Sequence, residues 1–200
     1  MISPNDRPGI GVILAAGRGS RMGGSKQLTL WPTPAGRIPL VAAAYDAVRL
    51  ICDEMVVVLG HEADTVASAL GERAFRRAKS NPETPMFESI REGLRAARRI
   101  DPNRIVVLQP GDHPEVARNT LLALHTWSCW RPFQAIVPEY GGRGGHPILI
   151  PPSIASHILA ADCPAGLGQF WLDNPNLCVR VPVDDPSILR DIDTPNDLPL

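Results

Sequence analysis

Apolar residues fall along this chain in short unbroken runs, separated by longer stretches in which they recur every three or four positions. The runs have the pattern of strands buried on both faces, and the stretches that of helices burying one. Strands are predicted at 10–15, 55–60, 105–108, 133–140, 148–150 and 179–183. Leu40, Ala44, Ala47 or Val48, and Ile51 share a helical face that runs through Cys52, with Pro39 suited to a first helical position. A short helix is predicted at 63–70, and Phe87, Ile90, Leu94 and Ala97 mark another, with Thr84 as its cap and Pro85 first. Residues 116–127 and 153–161 follow, and 166–171 opens a last helix. Pro32, Pro34 and Gly36 interrupt 28–37 and predict an irregular flap there. Inner strands alternating with helices require a mainly parallel sheet with right-handed crossovers, whose ligands bind at the carboxyl ends of the strands.

The chain's 200 residues are 44% hydrophobic, enough for a full core, and predict a single domain over 1–200. A net charge of −1 argues against a nucleic-acid partner, which needs clustered uncompensated Lys and Arg. Nine of the twenty cations do lie between Arg73 and Arg104, but Glu88–Arg91 and Glu92–Arg95 are spaced as helical i,i+3 pairs on a solvated face. Cys52, Cys129, Cys163 and Cys178 form no CxxC and have no His at zinc-ligand spacing, so reduced thiols are expected. The first residues lack an apolar signal region and no apolar run approaches the ~20 residues of a membrane span. A cytoplasmic location without a membrane partner is expected.

The chemistry concentrates after the first strand. Residues 12–26 hold four glycines, Arg18, Arg21 and Lys26. Glycines there free the backbone to turn and present N–H groups, and the cations add charge, so the loop is built to cradle phosphate. It is not a Walker loop, because Ser25 precedes Lys26 and Gln27 follows it. Nor is it a dinucleotide fingerprint: Met22 stands at the third glycine, and no acidic residue ends the second strand to hold a ribose.

Leu14-Ala-Ala-Gly17, Ser20-Arg-Met-Gly23 and Lys26 together resemble the signature of the MobA-like nucleotidyltransferases, closest to the molybdenum-cofactor cytidylyltransferases. That resemblance implies a Rossmann-like three-layer nucleotidyltransferase α/β fold with a mainly parallel, mixed central sheet. It implies nucleotide binding by Leu14, Ala15, Ala16, Gly17, Gly19, Ser20, Arg21, Gly23 and Lys26. Three later segments extend it. The stretch from Asn81 to Gly93 is similar to a nucleotide-side loop and helix of the family, with Pro85 where a glycine is usual, and makes Asn81 and Ser89 candidates. Gly111-Asp112-His-Pro114 matches a "GDxP" pattern, in which Asp112 at a strand tip would bind Mg²⁺. An N-cap on the following helix is the structural alternative for that aspartate. The Gly141–Pro147 segment is similar to the family's "GxxGHP" and implies acceptor binding by Arg143, Gly145 and His146.

Residues 166–171, Gly-Leu-Gly-Gln-Phe-Trp, depart from the family's "GDxGxR", so the acceptor side differs from common members. The closing Asp191-Ile-Asp193-Thr-Pro-Asn-Asp197 is close to "DIDTPxD" and implies a second Mg²⁺ carboxylate, Asp191 before Asp193. A capping box at Thr194–Asp197 would explain the acids poorly, with so few residues left to form a helix.

The implied enzyme is a Mg²⁺-dependent nucleotidyltransferase. It would transfer a nucleoside monophosphate, CMP from CTP by the Ala15-Ala16-Gly17 reading, to a phosphate-bearing small molecule such as molybdopterin, releasing pyrophosphate. Arg21, Lys26 and Asp112 would carry the catalysis by positioning and charge neutralisation. A sugar- or alditol-phosphate nucleotidyltransferase of the same fold and a non-catalytic nucleotide-binding module are the alternatives.

Overall fold

The computed structural model describes residues 8–17, 25–163, 165–194 and 197–198. In chain order the strands are β1 (Gly9–Ala15), β2 (Leu30–Thr33), β3 (Gly36–Pro39), β4 (Cys52–Leu59), β5 (Arg76–Lys79), β6 (Val106–Pro110), β7 (Ala135–Tyr140), β8 (Arg143–Gly144), β9 (Ile148–Ile150) and β10 (Cys178–Pro182). The helices are α1 (Leu40–Val48), α2 (Ala63–Ser68), α3 (Met86–Ile100), α4 (Arg118–Trp130), α5 (Pro152–Ala160) and α6 (Leu167–Asp173).

One sheet carries the order β10-β7-β9-β6-β1-β4-β5, with β8 paired to β7. It is parallel except at β8 and β9, so it is mainly parallel but mixed, as expected. The reversed β9 sets Ile148 beside Leu108, near the carboxyl end of β6. Side-chain alternation then builds two cores. Ile10, Val12, Val56 and Val58 pack against Ile90 and Leu94 of α3 and Ile154 and Ile158 of α5. Ile13, Val57 and Val107 on the opposite face meet Val41 of α1 and Leu121 and Leu124 of α4. The layers are helix, sheet and helix. Gly93 lets α3 lie directly on β1, since a Cβ there would stand 2.4 Å from Val12 Cγ1. Leu94 and Leu124 are wholly buried, and truncating either to Ala is expected to cost about 2–5 kcal/mol.

Four local expectations change. Residues 28–37 are not an irregular flap: β2 and β3 form an antiparallel hairpin with Trp31 opposite Ile38. Pro32 is tolerated in so short a two-stranded ribbon, and Gly36, at φ +127°, makes the return. The α1 helix gives way after Val48 to a 3₁₀ turn, Arg49–Ile51, rather than running to Cys52. A strand absent from the hydrophobic pattern, β5, carries Arg-Arg-Ala-Lys and pairs only with β4, as an edge strand with one buried residue can. Thr84 does not cap α3, because its hydroxyl donates to the Asn81 carbonyl at 2.7 Å.

Candidate functional site

The β1 and β6 strands end side by side, and the Gly111 N–H donates to the Leu14 carbonyl at 2.9 Å. A Cβ on Gly111 would stand 2.9 Å from that oxygen, so only glycine allows the approach that sets Asp112 beside the end of β1. The C-terminal segment closes in through the Ile192 N–H, which donates to the Asp112 carbonyl at 3.1 Å. From the other side comes the 3₁₀ turn Lys26–Leu28. It is pinned by the Ser25 hydroxyl donating to Glu62 and by Gln27 Nε2 donating to the Gly17 carbonyl.

These connections place Lys26 Nζ 2.6 Å from Asp112 Oδ2 and in contact with Asp193 Oδ1. The lysine side chain is 12% exposed, so it is not the solvated cation expected of a loop lysine without ligand. Burial lowers its pKa, but hydrogen bonds and charge from Asp112 and Asp193 outweigh that, and the net direction is upward. The ammonium stays protonated and fills the point where two carboxylates converge.

Around this trio lies a cavity of about 340 Å³ lined by Leu14, Ala16, Gly17, Gln27, Ser89 and Pro110 among others. Most of the expected nucleotide residues described are therefore together. Ala15 is an exception, since strand alternation turns it into the core on the α1 face. Asn81 is another: it is exposed and lies off the lining, its Oδ1 accepting from the Glu83 N–H. Of the two C-terminal candidates the structure sets Asp193 on the cavity, whereas Asp191 is exposed and does not line it. Asp193 stands in a turn held by Asp197, which accepts from the Asp193 and Thr194 N–H groups. Gly19, Ser20, Arg21 and Gly23 lie outside the described residues. Gln27 was missed by sequence reading; its position next to Lys26 as a polar residue in a core-forming turn was the available signal.

Asp112 is not a helix cap. Ala117 precedes α4, and its N–H donates to Asp185 Oδ2 at 2.9 Å. Thr120 and Ser187 also donate to Asp185. Burial pushes the Asp185 carboxyl up, yet these hydrogen bonds hold it below the usual value.

A second cavity of about 300 Å³ adjoins the first, sharing Leu14, Met86 and Pro110. Gly145 and His146 line it and Arg143 does not, standing exposed on β8. Gly145 is also packed closely, since a Cβ there would stand 2.4 Å from the Ile188 carbonyl oxygen. Burial, with the neighbouring His113, pushes the His146 pKa down to about 3, so its ring is neutral. Phe87, Trp171 and Arg180 also line it; of these the sequence marks Phe87 only as a core-facing helix residue and Trp171 only as part of the segment that departs from the family pattern, and it singles out no role for Arg180.

A family model for the MobA-like NTP transferase domain matches residues 11–176, most of the chain and both cavities' strand ends. The chain belongs to that family. Among solved structures, Rv0371c from Mycobacterium tuberculosis is 25% identical at a TM-score of 0.76, covering 95% of each chain. A second structure of that mycobacterial protein, a complex with manganese, is 24% identical at a TM-score of 0.73, with 94% of each chain covered. A nucleotidyl transferase from Methanothermobacter thermautotroptrophicus is 25% identical at a TM-score of 0.75, covering 94% of this chain and 93% of that one. The curated bifunctional protein GlmU of Corynebacterium aurimucosum is 32% identical over 120 residues, 57% of this chain; the chain matches only 24% of its length. Family and fold indicate nucleotidyltransferase chemistry. Among the described residues no helix is long and apolar enough to cross a membrane.

A divalent cation fits the residues present. Two carboxylates already close on a positive charge, and no group of three or more His, Cys, Asp or Glu side chains among the described residues makes an all-protein cage. Mg²⁺ bound partly through substrate phosphates needs one or two carboxylates and no more.

Proposed function

We propose that this chain, acting as one domain over 1–200, transfers CMP from CTP to a phosphate-bearing small molecule of the molybdopterin type, with Mg²⁺. The observation that carries this reading is the convergence of Lys26, Asp112 and Asp193 on the cavity that Leu14, Ala16 and Gly17 line. An acceptor phosphate oxygen attacks the α-phosphorus, the bond to the β-phosphate oxygen breaks, and pyrophosphate leaves. Nothing in that displacement asks for a nucleophilic side chain; it asks for positioning and neutralisation of charge.

Lys26 can give its three N–H donors to the departing phosphates, where charge accumulates. Gly17, Gly19, Ser20, Arg21 and Gly23 are assigned to the triphosphate, and Ser89 to the sugar or base. Asp112 and Asp193 would hold Mg²⁺, which spreads the negative charge of the phosphates during transfer. That the mycobacterial protein Rv0371c was solved as a complex with manganese supports use of a divalent ion. The Ala16 methyl supports CTP over GTP, since it narrows the cavity where a purine needs room.

The departure at residues 166–171 favours a second reading, a sugar- or alditol-phosphate acceptor, because that segment lines the acceptor-side cavity. Pyrophosphate release measured with each of four nucleoside triphosphates, Mg²⁺ and candidate acceptors tests both. CTP with a molybdopterin acceptor is expected to give the highest rate; release with GTP or with a sugar phosphate at a higher rate would refute the corresponding part.

A further inference from the structure

The second cavity runs across the sheet on the face that α3, α5 and α6 cover. Its floor takes one residue from each of five neighbouring strands in sheet order: Leu14 of β1, Pro110 of β6, Ile148 of β9, Val137 of β7 and Arg180 of β10. The first four are apolar. Among the described residues Arg180 is the one charged group of the lining. Strand alternation puts it on this face, because its neighbours Val179 and Val181 pack into the opposite core. Its guanidinium leans over β7 toward the β7–β8 hairpin, where Nη1 donates to Glu139 Oε2 at 3.2 Å and to the Gly142 carbonyl at 3.4 Å. A Cβ on Gly144, itself part of the lining, would stand 3.9 Å from Arg180 Cζ, so the guanidinium lies against the cavity's wall. The side chain is 48% exposed, and Nε and Nη2 donate to no partner among the described residues. Three N–H donors are thus left for a ligand.

We infer that Arg180 anchors a second anionic group of the acceptor, at the end of that molecule remote from the phosphate that reacts. The inference rests on the nucleotidyltransferase reading above and deepens it by naming the acceptor's class, an apolar body with an anion at each end. The reacting phosphate has to meet the nucleotide where the two cavities join, and Leu14, Met86 and Pro110 mark that place. The guanidinium lies over β7, which is separated from β6 by β9, a span of roughly 10 Å at the ordinary spacing of strands. That is too far to touch the reacting phosphate and matches the length of a ring bearing a short chain. Between the two ends Ile148 and Val137 offer apolar contact and nothing for a hydroxyl to bond, so a polar midsection would lose water without compensation. At the far end a carboxylate or phosphate oxygen meets forked, permanently charged donors, which hold an anion better than a neutral group. Glu139 is the rival for those donors, but it lies off the lining and engages Nη1 alone.

Calorimetry with two phosphate probes tests this: 3-(4-phosphonooxyphenyl)propanoate, and 4-propylphenyl phosphate, which keeps the ring and the chain length without the carboxylate. The carboxylate probe is expected to bind about tenfold tighter, the value of a charge-assisted hydrogen bond. Arg180→Gln should abolish that preference, with the unfolding midpoint and CTP affinity unchanged. Glu139→Gln separates an anchoring arginine from a merely structural ion pair. It breaks the same pair but frees the guanidinium, so the preference should rise about threefold. The inference is overturned if the two probes bind the parent alike, if Arg180→Gln keeps the preference, if Glu139→Gln lowers it, or if neither probe binds at concentrations on the order of 10 mM. CTP titrated into the same samples reports on the first cavity by itself. Loss of CTP binding with the carboxylate preference retained would sink the nucleotide assignment alone, and CTP binding without the preference would sink this one alone.

Discussion

Asp112 and Asp185 are both drawn to the region that leads into α4, yet their partners are of opposite kinds. Asp185 is 5% exposed and accepts from two backbone N–H groups and two hydroxyls, all of them fixed parts of the fold. Asp112 is half-buried at a cavity wall, and its close partner there is the ammonium of Lys26, a side chain it shares with Asp193. A carboxylate whose lone pairs are filled by the fold is structural. One matched by a flexible cation beside an open cavity remains available to another cation.

The widest separation between the two is expected in catalysis. Asp112→Asn preserves shape and removes charge, so it should fold normally and lose Mg²⁺-dependent pyrophosphate release by a factor on the order of 10². Superimposable Mg²⁺ titration curves for variant and parent would break the contrast. Asp185→Ala should do the reverse. It strips the start of α4 of its acceptor and should cost about 1–2 kcal/mol of stability in denaturant unfolding, while the folded fraction keeps its turnover.

Lys26→Ala sharpens the comparison with a smaller effect on stability. It leaves Asp112 and Asp193 facing each other, a loss of about 1 kcal/mol once solvent screening of partly exposed groups is allowed for. Mg²⁺ should restore that stability in the variant more than it stabilises the parent, measured as a shift in melting temperature. Equal shifts would mean that the cation does not replace the ammonium.

The gentlest test is pH. The folded Asp185 carboxyl lies below its ordinary value of 3.8. Its stabilisation is therefore fully present above that value and fades as pH falls through the folded pKa. Asp185→Asn should flatten the acid limb of a stability–pH curve and leave the limb above neutrality unchanged.

Much of this arrangement was legible in the sequence, for identifiable reasons. The inner strands announced themselves because both of their faces are buried, which leaves no polar residue to interrupt the run, as in Val56-Val-Val-Leu59. That Asp112 stands at a strand tip was legible because it lies two positions past the end of the apolar β6, and Lys26 was singled out by the glycine-rich stretch before it. The edge strand Arg76–Lys79 was not legible, since its side chains mostly face water and its existence depends on β4 alone. Which of Asp191 and Asp193 lines the cavity was not legible either. It turns on hydrogen bonds within the Asp193–Asp197 turn, which no periodicity encodes.

The single long-range reversal in the sheet, β9 between β6 and β7, has a consequence for how such a protein can diversify. At the carboxyl edge, β1 reaches α1 by way of the Lys26–Leu28 turn and the β2–β3 hairpin, and β6 leads past Asp112 into α4. The turn before β9 enters that same edge from the opposite direction, out of the β7–β8 hairpin, and answers to no helix. A change of length at the tip of that hairpin, Gly141–Gly142, would therefore reach Gly144, Gly145 and His146 of the second cavity without passing through a helix.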